Sequence, residues 1–259
     1  MSMKPVHVDA ASLAGRPMRY YDFALAAFVT ILLLSNLIGA AKLSIVHGFV
    51  FGSGILFFPI GYVLGDVLTE VYGYARARRC VWAGFFAMLF MAVMSAVVVA
   101  MPAFGQWGCS ASADPAFAAV VKASSPGAVC QATYESVFGS TWRIVGASIA
   151  AFWAGEFVNS YVLAKMKVWT QGKALWARIW GSTIVGEGVD SLIFYPLAFL
   201  GVWSHGQVLM VLVTNWGLKV FWEVVLTPVT YMVIGFLKRR EGIDIFDEKT
   251  NFSPFKTET

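Results

Sequence analysis

Ionisable side chains lie inside long apolar stretches of this chain, where charged residues are uncommon. A charged group at the centre of a bilayer costs about 2.5–3.5 kcal/mol on insertion scales, so such residues normally face a protein interior or a water-filled cavity. Carboxylates in that setting accept hydrogen bonds from a donor-rich ligand or carry protons, and amines and amides donate to carbonyls. The residues concerned are Asp66, Glu70, Glu156, Glu187, Asp190, Lys219 and Glu223.

Helical spacing places these groups with further polar and aromatic residues on one face of each stretch. Residues three or four positions apart are neighbours on a helix surface. The series Asn215, Lys219 and Glu223 keeps that spacing, and it predicts that the polar faces meet around one cavity. The candidate substrate-binding residues are Asn36, Tyr62, Asp66, Glu70, Glu156, Asn159, Glu187, Asp190, Phe194, Asn215, Lys219 and Glu223.

A purely structural interpretation of the same residues stays open. Lys219 can pair with Glu223 or with Asp190, and Ser, Thr and Asn side chains can bond one helix to another. Six acids against one base leave most of the acids without a partner. We therefore expect about two acids to bind the ligand, with the others protonated or hydrogen-bonded between helices.

The elements that must position these residues are membrane-spanning helices. Of 259 residues, 58% are apolar and 13% are charged, with mean hydropathy +0.69, whereas soluble domains have about 25% charged residues. These values exclude a soluble globule and a disordered chain, and long apolar runs exclude an outer-membrane barrel. The predicted fold is an all-α polytopic membrane protein with six transmembrane helices, at about 22–41, 49–71, 81–101, 142–164, 178–203 and 207–237.

A short phrase recurs in three of these stretches. A glycine precedes an acid at Gly65-Asp66, Gly155-Glu156 and Gly186-Glu187, and polar residues follow three and four positions later. The glycine permits close helix approach, so the acid lies on the contact face. Two halves of three spans would run in opposite directions, which makes a 3+3 inverted repeat with a midplane site a candidate arrangement.

Basic residues alternate between the predicted loops, which places both termini in the cytoplasm. The predicted organisation is a cytoplasmic tail over 1–21, a transport domain over 22–240 with an outer loop at 102–139, and a second cytoplasmic tail over 241–259. Cys109 and Cys130 fall in that loop and are candidates for a disulfide, with two apolar thiols as the alternative. The net charge of +4 comes from basic residues at the predicted edges of the membrane, so no nucleic-acid partner is expected.

Several segments resemble the signatures of the queuosine precursor transporters, also called the vitamin-uptake-transporter family. The first covers Phe58-Pro59-Ile60-Gly61-Tyr62, Asp66, Thr69-Glu70-Val71-Tyr72-Gly73 and Ala77-Arg78-Arg79. The stretch from Gly186 to Phe199 is similar to a second signature, and Asn215 to Tyr231 resembles the last helix. The likeness covers about residues 25–240.

The resemblance implies a bacterial inner-membrane importer of 7-cyano-7-deazaguanine and 7-aminomethyl-7-deazaguanine, which feed salvage of the tRNA base queuosine. It implies no enzymatic activity and no cofactor. The residue types suit such a ligand: a guanine-like edge offers an N–H and an amino group to a carboxylate, its carbonyl needs an Asn or Lys donor, and its face stacks on aromatic rings.

Other functions remain alternatives at this point. A six-helix subunit could bind a vitamin or purine-like base and need a separate energising complex. An intramembrane enzyme is disfavoured, because the sequence has no HExxH, no Gly-x-Ser-x-Gly and no clustered histidines. A channel usually repeats one ring of charge, whereas these acids differ between helices. Gly- and Ala-rich helices make a homodimer a further candidate.

Overall fold

The chain folds mainly into long helices, with two short pairs of strands. The computed structural model describes residues 6–9, 18–39, 43–46, 49–52, 56–102, 131–139, 142–248 and 250–256. The helices are α1 (Tyr21–Leu34), continued by a π-helical turn (Ser35–Gly39), α2 (Phe58–Tyr72), α3 (Tyr74–Ala100), α4 (Gln131–Phe138), α5 (Trp142–Trp169), α6 (Leu175–Phe199) and α7 (His205–Glu241). The strands are β1 (Val6–Asp9), β2 (Leu43–Val46), β3 (Phe49–Gly52) and β4 (Ile243–Phe246).

The helical, membrane-compatible character of the chain is confirmed. Within the described ranges, three segments are long and apolar enough to cross a membrane: Tyr21–Ile38, Tyr74–Ala100 and His205–Glu241. Helices α5 and α6, with 28 and 25 residues, have the length to cross but carry charged residues along it. The outer surfaces of α3 and α7 expose large apolar side chains, including Phe86, Phe90, Leu209 and Met232. Water-exposed patches of this kind are rare, whereas a lipid-facing surface requires them.

The prediction of one continuous helix over 49–71 is wrong. Strands β2 and β3 form an antiparallel hairpin, and α2 begins only at Phe58. Phe and Val favour strands as readily as apolar helices, and Gly52 and Gly54 weaken a helix there. Pro59 fits the first turn of α2, where its missing N–H has no intrahelical partner to lose.

Glycines bring α5 and α6 into close contact. A short turn at residues 170–174 joins the two helices, which therefore run antiparallel. A Cβ atom added at Gly186 would lie 2.6 Å from Asn159 Cβ, and one added at Gly155 would lie 2.8 Å from Asp190 Cβ. This confirms that the recurring glycines sit at helix contacts beside the acids.

The segments before α1 and after α7 meet at one end of the helix bundle. Strand β1 pairs in parallel with β4, and Val6 lies opposite Ile243. The Glu241 carboxylate accepts the backbone N–H groups of Arg19 and Tyr20 at 3.1 and 2.8 Å. Beyond β4, the Pro254 carbonyl accepts the indole N–H of Trp82 at 2.8 Å. The predicted disulfide residues Cys109 and Cys130 lie outside the described residues.

Candidate substrate-binding site

A cavity of about 950 Å³ lies between the helices. Ligand pockets commonly measure about 300–1,000 Å³ and are mostly apolar with a few polar groups. This cavity follows that pattern, with α1, α2, α3, α5, α6 and α7 all contributing to its wall. Its polar lining consists of Ser35, Asn36, Tyr62, Ser95, Ser148, Glu156, Glu187, Asp190, Tyr195, Thr214, Asn215 and Lys219.

A charged centre stands on one side of the cavity. Lys219 Nζ on α7 lies 2.8 Å from Glu187 Oε2 and 2.5 Å from Asp190 Oδ2, both on α6. The Tyr62 hydroxyl donates to the same Glu187 oxygen at 2.8 Å. Lys219 therefore pairs with Asp190 and Glu187 rather than with Glu223. Three helices that are separate in sequence are joined by these contacts.

Aromatic rings surround the charged centre. Phe58 and Tyr62, one turn apart on α2, stack with ring centroids 6.2 Å apart and an interplanar angle of 15°. Lys219 Nζ lies 5.3 Å from the centre of the Phe58 ring. Phe194 and Tyr195 of α6 also line the cavity. These rings offer flat surfaces on which a planar heterocycle can stack.

Glu156 on α5 supplies a carboxylate without a basic partner. Its side chain lines the cavity, and its Oε2 atom is buried with no hydrogen-bond donor among the described residues. A Cβ atom added at Gly65 would lie 3.2 Å from that oxygen, so the glycine on α2 makes room for it. Glu156 is thus the cavity acid with the greatest capacity to accept hydrogen bonds from a ligand.

Both predicted asparagines of the cavity wall bond to their own helices. Asn36 Nδ2 donates to the Leu32 carbonyl at 3.0 Å, and its Oδ1 atom accepts the Ser148 hydroxyl at 3.2 Å. Asn215 Nδ2 donates to the Val211 carbonyl at 2.9 Å. Each amide side chain therefore reaches the cavity with a fixed orientation.

Asp66 and Glu223, which we call the inner acids, are fully buried and do not line the cavity. Asp66 Oδ1 on α2 accepts the Asn159 amide of α5 at 3.0 Å, whereas its Oδ2 atom has no partner among the described residues. In the same part of the chain, neither carboxylate oxygen of Glu223 has a donor. With Glu156, three ionised acids would cost about 7.5–10.5 kcal/mol at 2.5–3.5 kcal/mol each. That equals much of a typical folding free energy, so a proton or a ligand must neutralise them.

Comparison with known proteins identifies the family. Residues 52–233 match the family described as "Putative vitamin uptake transporter". The chain belongs to this family. A protein of Bacillus subtilis (strain 168) named "Probable queuosine precursor transporter" is 29% identical over 168 residues. The match covers 64% of this chain and 64% of that relative, which is less than two thirds of its length. No solved structure gives a significant match.

Membership of the vitamin uptake transporter family confirms the resemblance found in the sequence. The description of that family, an uptake transporter, agrees with the prediction of a transporter rather than an enzyme. The matched range contains the charged centre of Glu187, Asp190 and Lys219, together with Glu156 and the inner acids. The roles of these individual residues remain predictions.

In this member of the vitamin uptake transporter family, Glu70 does not line the cavity and lies in a group that we call the ion-pair cluster. Glu70 Oε1 lies 2.7 Å from Lys238, 2.9 Å from Arg178 and 3.4 Å from Lys167. Asp244 Oδ1, on β4, lies 2.7 Å from both lysines. The cluster thus joins α2, α5, α6, α7 and β4 at the end of the bundle where β1 and β4 pair.

The basic members of the ion-pair cluster were missed by the sequence interpretation, which placed them at the membrane edge. Burial raises the pKa of Asp244, but Lys167 and Lys238 outweigh that effect and hold the pKa below its usual value. Lys167 and Arg178 are almost fully buried. The sequence did contain one indication of this cluster. Lys167 and Arg178 lie at the ends of α5 and α6, and the acid Glu70 lies near the end of α2.

Proposed function

We propose that this transporter imports the queuosine precursors 7-cyano-7-deazaguanine and 7-aminomethyl-7-deazaguanine across the bacterial inner membrane, for salvage into tRNA. The family and the name of the Bacillus subtilis relative support this substrate class. The observation that carries the proposal is a single cavity in which an unpartnered carboxylate, an ammonium group and stacked aromatic rings occur together.

Each part of the ligand has a counterpart in the cavity. Glu156 accepts the ring N–H and the adjacent amino group, because a carboxylate takes two parallel donors. Lys219 donates to the ring carbonyl, and Phe58, Tyr62 and Phe194 offer stacking surfaces. Asn36 and Asn215 contact the rim of the ligand, while Glu187 and Asp190 hold Lys219 and attract an aminomethyl cation.

The proposed topology has six spans with both termini in the cytoplasm. Pairing of β1 with β4 supports it, because two termini on the same side require an even number of crossings. The ion-pair cluster supports the cytoplasmic assignment, since Lys and Arg concentrate on that side of membrane proteins. The 3+3 inverted repeat and the Cys109–Cys130 bridge belong to the same proposal.

Queuosine formation in cells tests the substrate. A bacterial strain that cannot make the precursors is supplied with 7-cyano-7-deazaguanine, and queuosine in its tRNA is quantified by mass spectrometry. We expect the wild-type gene to restore queuosine and Glu156→Gln to reduce uptake about 10-fold or more. The reason is that a hydrogen bond to a charged group contributes about 1.5–3 kcal/mol, and 1.4 kcal/mol corresponds to tenfold.

The matched control is Asp22→Asn, because Asp22 is an exposed acid in the first turn of α1. Immunoblots of membranes normalise the amount of each variant. Wild-type queuosine levels in Glu156→Gln would remove Glu156 from the ligand site, and no rescue by the wild-type gene would reject the substrate class. Uptake by the purified chain in liposomes would reject the alternative of a subunit that needs an energising complex.

A further inference from the structure

Among the described residues, the carboxylates of the inner acids make one hydrogen bond, from the Asn159 amide to Asp66 Oδ1. Asp66 and Glu223 have side chains that are completely buried, and three of their four carboxylate oxygens have no donor among the described residues. Two neutral groups are in the same condition: Asn159 Oδ1 and Ser191 Oγ are buried without partners in that part of the chain. Unpartnered oxygens on α2, α5, α6 and α7 indicate that something absent from the protein itself binds among them.

A metal site built on three His, Cys, Asp or Glu side chains does not explain these oxygens. Among the described residues, no three His, Cys, Asp or Glu side chains converge closely enough to hold one. A proton needs only a single carboxylate oxygen, and protonation removes the charge of the acid and gives it a hydroxyl that can donate a hydrogen bond. The chemistry of the unpartnered oxygens therefore favours protons.

The basic residues nearby already have acidic partners. Lys219 is paired with Glu187 and Asp190, and the three bases of the ion-pair cluster surround Glu70 and Asp244. Asp66 interacts electrostatically with Glu223, Glu156 and Glu70, and Glu223 interacts with Glu187. The titratable groups on the helices around the inner acids include Tyr62, Glu70, Cys80, Glu156, Glu187, Asp190 and Lys219.

We propose that Asp66 and Glu223 form a proton-binding site that couples import of the substrate to entry of protons. This inference rests on the proposed function. Protons bind to the carboxylates while the cavity is open to the outside, and they leave to the cytoplasm after the substrate has left. No covalent bond forms or breaks, so each proton that enters is released unchanged.

Glu187 provides the link between the two sites. It contacts Lys219 in the cavity, and its charge acts electrostatically on Glu223, which lies one turn after Lys219 on α7. When Lys219 turns to donate to the substrate carbonyl, Glu187 loses part of its compensating charge, and the field at Glu223 becomes more negative. Substrate in the cavity then favours a proton on Glu223, and by linkage that proton favours bound substrate.

Transport by purified protein in liposomes tests the coupling. Vesicles contain a pH-sensitive dye, and labelled 7-cyano-7-deazaguanine is added outside, with and without an outside pH one unit lower. For the wild type we expect substrate-dependent acidification of the interior and a rise in accumulation of up to about tenfold per coupled proton, which is the factor set by one pH unit. A protonophore should abolish the rise.

Variants assign the coupling to the inner acids. Asp66→Asn and Glu223→Gln keep the shape of the acids but cannot release a proton, so we expect the response to the pH gradient to disappear. Exchange of labelled for unlabelled substrate at equal pH should persist in both. Glu223→Asp retains a titratable group and should recover part of the response, and Asp22→Asn should behave as the wild type.

The outcomes separate this inference from the proposed function. Absence of exchange by the wild type would reject the transport function itself. Exchange without proton entry or gradient response would overturn the coupling alone, and this measurement needs no variant. A full gradient response in both Asp66→Asn and Glu223→Gln would overturn the assignment of the protons to the inner acids.

Discussion

Neutralising Glu70 tests whether this acid stabilises the fold rather than binding substrate. Glu70 is fully buried, and its Oε1 atom lies within 3.4 Å of three cations, Lys238, Arg178 and Lys167. In Glu70→Gln the amide keeps the size of the side chain but removes its charge. Asp244 then remains as the one acid of the cluster, against three bases.

The expected loss follows from the burial of the remaining charges. Removing one partner of a buried ion pair typically costs about 3–5 kcal/mol, because the other charge is left uncompensated. A change of 1 kcal/mol shifts Tm by about 2–4 °C in a domain of 150–250 residues. We therefore expect Glu70→Gln to lower Tm by about 6–20 °C. The second change Lys238→Gln should recover part of this loss, since it removes one repelling cation.

Thermal unfolding of the detergent-solubilised protein measures this effect, and Asp22→Asn serves as the control. Substrate exchange at a temperature well below Tm should be close to that of the wild type, because Glu70 lies outside the cavity. A Tm within about 1 °C of the wild type would refute the structural role of Glu70. A normal Tm with lost exchange would instead return Glu70 to the substrate site predicted from the sequence.

Three further predictions concern other parts of the molecule. Lys219→Met should reduce precursor uptake at least about tenfold and Lys219→Arg less, because Met leaves two carboxylates without a cation; equal uptake would exclude a charge role. Gly186→Ala should lower the free energy of unfolding by about 1–3 kcal/mol in the same thermal assay, since the added Cβ would lie 2.6 Å from Asn159 Cβ. Gly217→Ala is the control, because the space around Gly217 is open. Two lysines hold the pKa of Asp244 below its usual value, although burial opposes this. The ion pairs of Asp244 therefore stabilise the fold above about pH 4, and this stabilisation is lost as Asp244 is protonated at lower pH. Tm should therefore fall more steeply from about pH 5 to 3 in the wild type than in Asp244→Asn.

The approach of Glu156, Glu187 and Asp190 to one cavity follows from two local rules, whereas the prediction that Asp66, Glu70 and Glu223 also line that cavity does not match the structure. Helical spacing placed each acid on a face, and the preceding glycine marked that face as a helix contact. The structure brings the phrases together: Gly65 meets Glu156, Gly155 meets Asp190 and Gly186 meets Asn159. Predicting that these glycines lie at helix contacts did not require knowing which helices are neighbours, because small residues permit close approach between any two helices.

The partners of the charges were not predictable in the same way. A basic residue at a helix end has the same sequence signature whether it faces water or turns back to a buried acid, as Lys167 and Lys238 do toward Glu70. The hairpin at β2 and β3 was missed for a related reason. Phe49 and Val50 are equally apolar in a strand and in a helix, so hydropathy does not distinguish the two. The spacing of the glycines was the remaining sign of a hairpin.

The distribution of charge along the bundle gives the acids different roles. Around the cavity and the inner acids, Lys219 is matched with Glu187 and Asp190, while Asp66, Glu156 and Glu223 have no base in the described contacts. In the ion-pair cluster the excess is reversed, because Lys167, Arg178 and Lys238 surround Glu70 and Asp244. Glu70 Oε2 also has no donor among the described residues, but three cations within 3.4 Å of Oε1 balance the charge of Glu70 and leave it little capacity for a proton. Asp66, Glu156 and Glu223 have no cation in the described contacts, and for this reason we propose that binding and coupling belong to these acids and stability to the cluster.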